Sequence, residues 1–144
     1  MAVPSRRLSS RLPAGVAMAL DAAVVLAFAA VGRASHDWGH LPHFVGGPPP
    51  PAGETNPVLG ALVAAWPFLV GAGVGWVLVR TLSRRWPLDV GAGVSVAACT
   101  VVVGMLVRTV TGQGTAPTFV LVATVVLAAL LLGWRALVRT LRPA

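Results

Sequence analysis

Four apolar stretches, each close to the length a helix needs to cross a bilayer, take up most of this 144-residue chain. They cover residues 14–33, 57–79, 88–107 and 117–138, and arginine, proline and glycine separate them. In water, helices apolar on every side would have to be covered by other protein, and so short a chain has little left to cover them with. Lipid removes that demand but requires every backbone N–H and C=O to be satisfied within the segment. The stretches therefore predict an all-α fold, an integral membrane four-helix transmembrane bundle. With 56% hydrophobic and only 10% charged residues and a mean hydropathy of +0.82, the composition lies outside that of soluble domains.

The punctuation gives the organisation. Pro13, Pro57 and Pro117 stand where a proline opens a helix without losing a needed hydrogen bond. Pro67 lies inside the second span, where a kink is expected. Residues 34–56 hold His36, His40, His43 and the run Pro48 to Pro51, which reads as an extended loop. The few residues between spans two and three make them an antiparallel hairpin, and Gly112 and Gly114 mark a tight turn before span four.

The chain has no lysine, so its fixed positive charge is all arginine. Arg6, Arg7, Arg11, Arg80, Arg84, Arg85, Arg139 and Arg142 fall on one side of the membrane, and Arg33 and Arg108 on the other. The positive-inside rule then puts both termini in the cytoplasm. Residues 1–13 become a basic cytoplasmic tail, 14–138 the membrane domain, 34–56 a proline-rich extracytoplasmic loop and 139–144 a second cytoplasmic tail. The expected location is the plasma (inner) membrane, with multiple passes. Ser5-Arg6-Arg7 ahead of an apolar run has the look of an export signal, but three further spans make a retained first helix the simpler account. Because the arginines flank apolar segments instead of forming a basic face, anionic lipid head groups are the expected partners, and nucleic acid is not.

Asp21 lies inside span one, ~10 Å below its cytoplasmic start at ~1.5 Å per residue. A carboxylate there costs about 2.5–3.5 kcal/mol and needs a partner or a proton. At 100° per residue it shares a face with Ala14, Ala17, Val25, Phe28 and Gly32, so it points toward other helices. Arg135, late in span four, enters from the same side and is the expected partner. The open alternatives are a protonated or hydrated Asp21 near the interface, and a proton or cation relay through it.

At the other end, Arg33, His36, Asp37 and Arg108 form a predicted outer polar collar. It would serve either as an anion site or as structural caps on terminal carbonyls. His36, His40 and His43 lack a second cluster to complete a metal site, so no metal and no cofactor is expected. Gly71 and Gly75 in span two form a G-x-x-x-G pair, and Gly93 and Gly104 mark a similar stripe in span three; both are helix-packing surfaces. The five tryptophans are expected at the membrane interfaces. There is no nucleophile beside a base, no paired carboxylates and no phosphate-binding glycine loop, so an enzyme is not expected.

Asp21 with Phe28, Gly32-Arg33 with His36, Pro67-Phe68 with Trp76, Gly104 to Arg108, Gly114-Thr115 before Phe119, and Trp134-Arg135 form a pattern. In these residues the chain resembles the family known as domain of unknown function 3054, small four-span prokaryotic membrane proteins, over roughly Leu20 to Val138. The resemblance implies a polytopic membrane protein with no assigned activity or cofactor, and suggests that these polar residues form one constellation. Two functional readings follow. One is a transport-related bundle with a protonation-sensitive Asp21/Arg135 pair. The other is a structural or assembly subunit whose glycine stripes on spans two and three meet another membrane protein or a second copy of the chain.

Overall fold

The computed structural model describes residues 12–37 and 57–141. They form four helices: α1 Ala14–Asp37, α2 Pro57–Ser83, α3 Val90–Val110 and α4 Pro117–Thr140. The shortest has 21 residues and the longest 27, which at ~1.5 Å per residue is about 32–40 Å. Each is long and apolar enough to cross a membrane.

The helices start and stop for local reasons, several of which shift the sequence-based bounds. α1 continues past Arg33 to Asp37, because Ala34-Ser35-His36-Asp37 contains neither glycine nor proline; residues 34–37 are helix and not the loop expected there. α2 likewise outlasts its expected end at residue 79 and runs to Ser83. Arginines end an apolar span but do not break a helix. The break comes at Arg84, whose backbone turns left-handed at φ 54° and whose carbonyl accepts a bond from Arg80 Nη1 at 2.6 Å. Pro67 sits inside α2 without ending it. α3 begins at Val90, two residues later than expected, because Asp89 is its cap: the Asp89 carboxylate accepts from the Ala92 N–H at 2.8 Å. After α3 the chain turns through Gly112 and Gly114, both at positive φ (69° and 77°), where a side chain would be strained. Pro117 then opens α4.

The helices pack in a ring, α1 on α2, α2 on α3, α3 on α4 and α4 back on α1. Early residues of α1 and α3 meet late residues of α2 and α4: Ala17 and Val96 pack with Trp76 and Val79. At the opposite end Phe28 packs with Ala65, Phe68 and Ala123, and Val101 and Met105 of α3 pack against them. The bundle is therefore up-down-up-down, and Leu12 and Leu141 lie at the same end.

Small and aromatic side chains share the interior with a few aliphatics, Val25, Val96, Leu127 and Leu131, while most of the large aliphatics face outward. Ala17, Ala65, Ala72, Ala97 and Ala123 are buried, while Val58, Leu62, Val77, Val102, Leu121 and Val125 are exposed. In water that surface would be a large apolar patch, but in hydrocarbon it needs no cover. Between helices in lipid, close packing replaces the hydrophobic effect as the main attraction. α2 and α3 show how this works. A Cβ on Gly71 would stand 2.7 Å from the Thr100 carbonyl oxygen, and one on Gly75 would stand 2.9 Å from Val96 Cα, so only glycine allows the two backbones this close.

Candidate functional site

The buried ionic cluster is assembled from all four helices and the α2–α3 connection. α1 supplies Asp21, in line with the buried Ala17, Val25 and Phe28. Late α2 supplies Trp76, late α4 supplies Trp134 and Arg135, and the connection supplies the Pro87 carbonyl. α3 contributes space: a Cβ on Gly93 would lie 2.6 Å from Arg135 Cδ, so the glycine makes room for the arginine stem.

Arg135 and Asp21 meet in a bidentate fork, with Nη1 donating to Oδ1 at 2.8 Å and Nη2 to Oδ2 at 2.7 Å. The paired geometry of guanidinium and carboxylate favours this contact over a point charge. Each carboxylate oxygen takes a second donor, Trp134 Nε1 on Oδ1 at 2.9 Å and Trp76 Nε1 on Oδ2 at 2.8 Å. Arg135 spends its remaining N–H groups on backbone carbonyls: Nη1 donates to Leu131, and Nε and Nη2 both donate to Pro87. Its guanidinium also lies 4.4 Å from the Trp134 ring centroid. All five N–H groups of the arginine are thus placed, and the carboxylate's roughly four lone-pair sites are filled. Asp21 is 1% exposed and Arg135 2%.

Such an arrangement neutralises both charges in place. Removing a buried ion pair as a unit can be nearly neutral, but removing one partner strands the other charge and costs about 3–5 kcal/mol. Chemically the cluster is saturated, with no open position on the carboxylate for a further ligand. A cavity of about 1000 Å³ opens at the end of the bundle that holds Leu12 and Leu141, and Arg135 lies in its wall together with Arg85, Trp86, Asp89 and Arg139. Asp21 does not line it.

The opposite end holds an aromatic cluster instead. Phe28, Phe68 and Phe119 place their ring centroids 5.7 to 6.4 Å apart, with Phe28 edge-on to Phe68. Arg108 covers them at 4.5 Å from the Phe119 centroid. Its guanidinium donates to the Gln113 side chain and to the Gln113 and Gly114 carbonyls, so it ties down the α3–α4 turn. Gly104 faces Phe68, whose ring would lie 2.5 Å from a Cβ there.

The structure brings together Asp21 and Arg135, and it places Gly71, Gly75, Gly93 and Gly104 inside the bundle. No described contact joins Arg33 to Arg108. Arg33 lies across Gly60 of α2, its guanidinium where a Cβ on that glycine would stand. The side chains of His36 and Asp37, and all of His40 and His43, lie outside the described residues. One expectation is corrected: Gly71 and Gly75 do not present a stripe to another chain, because α3 of the same chain already fills it. A second correction concerns tryptophan. Trp76 is 4% exposed and serves as a buried donor rather than an interfacial anchor. Nothing in the local sequence distinguishes it from Trp66, which is exposed; the available signal was that a buried carboxylate has more acceptor sites than one arginine can fill.

A family model described as a protein of unknown function, DUF3054, matches residues 18–138, and the chain belongs to that family. No curated protein and no solved structure matches it.

Proposed function

For this member of a family of unknown function, we propose a non-enzymatic role as a structural or assembly component of the inner membrane, with both termini in the cytoplasm. The observation that supports this is the saturation of the ionic cluster. A carboxylate that carries protons or ions must exchange partners, whereas Asp21 holds four N–H donors from three other residues. It pins the helices to one another. The surface for a neighbouring membrane protein moves from α2 and α3 to α1, whose exposed Gly15, Ala19, Ala23 and Ala27 repeat every fourth residue.

Site-specific photo-cross-linking from Ala19 and Ala23 in native membranes tests this reading. Adducts to another membrane protein are expected, and purely monomeric protein would refute it. A second reading, transport, draws on the cavity that reaches Arg135 from one end of the bundle. In sealed vesicles it requires a proton-coupled flux that Asp21→Asn abolishes; the structural reading expects no flux from the parent protein.

A further inference from the structure

The same cavity carries residues that the ionic cluster does not use. Arg85 from the α2–α3 connection and Arg139 from α4 both line it and are exposed, and neither donates a hydrogen bond to any described residue. Val90 and Gly91, the first two residues of α3, also line it. N–H groups at these positions have no acceptor within the helix and carry the positive end of its dipole. One carboxylate, Asp89, also lines the cavity and caps the helix end by accepting from Ala92 N–H, so the arginines and not the helix end supply the uncompensated positive charge. The charge of Arg135 is already balanced by Asp21. Two arginines without a described hydrogen-bond partner thus line one open space, and Leu12, Trp86, Leu88 and Val138 give it apolar walls.

We propose that this cavity binds the phosphate of an anionic phospholipid head group, with Arg85 and Arg139 as its ligands. Phosphate suits the paired N–H geometry of arginine. The apolar walls favour a lipid over a free phosphate ester, since they continue the surface along which acyl chains lie. The inference rests on the membrane location of the helices and not on the assembly reading, which can fail without it.

Native mass spectrometry of the detergent-solubilised full chain tests the proposal by titration with phosphatidylglycerol, phosphatidylcholine and soluble glycerol phosphate. Near a membrane surface each arginine is worth about 1 kcal/mol, so Arg85→Gln/Arg139→Gln should weaken phosphatidylglycerol binding by about 30-fold. Arg33→Gln removes a charge at the opposite end of the bundle and should leave binding within about twofold of the parent. Equal losses in the two variants would mean general surface attraction and would overturn the site. Equal retention of phosphatidylcholine by the parent would do the same. Arginine-dependent binding of glycerol phosphate without a preference for the anionic lipid would overturn the lipid as its source.

Discussion

Replacing Asp21 with asparagine keeps the shape of the buried cluster but removes its negative charge. Each carboxylate oxygen receives one indole N–H and one guanidinium N–H. Whichever way an asparagine amide turns, its NH2 therefore faces one donor of each kind and bonds to neither. Both are bonds to the ionised carboxylate, each worth about 1.5–3 kcal/mol. Arg135 is also left without a counter-charge, and the expected loss is about 3–5 kcal/mol, the range for breaking one side of a buried ion pair. That is a change of more than ~100-fold in the folding equilibrium. Reversible unfolding in mixed micelles measures it, and the emission of Trp76 and Trp134 reports the local site. Asp21→Val/Arg135→Met removes both charges with little change in volume. Its destabilisation should fall short of the sum of the two single variants by about 2–3 kcal/mol, the coupling of the pair. A loss below about 1 kcal/mol for Asp21→Asn, or strictly additive single variants, would refute the cluster as the pin of the bundle.

One further outcome follows from the packing and one from the proposed orientation. Gly75→Ala places its methyl 2.9 Å from the Val96 backbone and should cost about 1–3 kcal/mol, whereas Gly73→Ala, with nothing within 4 Å, should be neutral or stabilising by up to about 1 kcal/mol; thermal midpoints in one detergent compare them. With Cys99→Ser as background, a cysteine replacing Gln113 should react with an impermeant maleimide on intact cells, and one replacing Ser83 only after permeabilisation. The reverse pattern would invert the orientation.

The cluster was half legible before the structure. Asp21 and Arg135 stand out because charge inside an apolar run is costly, and helical periodicity with alternating span direction puts them at one level. Trp76, Trp134 and the Pro87 carbonyl did not stand out. Tryptophan is equally at home at an interface, and a carbonyl carries no side-chain signature. The glycine stripes were legible as packing surfaces, but glycine records only that something comes close.

What the sequence determined by itself is the architecture: four membrane-length helices, their starts at Pro57 and Pro117, and a charged pair that had to be resolved inside them. Apolar length, missing N–H groups and the cost of buried charge are local or nearly local quantities. What only the tertiary structure decided is who meets whom. α3 fills the groove of Gly71 and Gly75, two indoles complete the shell around Asp21, and Arg108 closes over three phenylalanines. Those choices depend on the rotation and spacing of neighbouring helices. Both are set by the sum of many weak contacts, none of which is written at a single position.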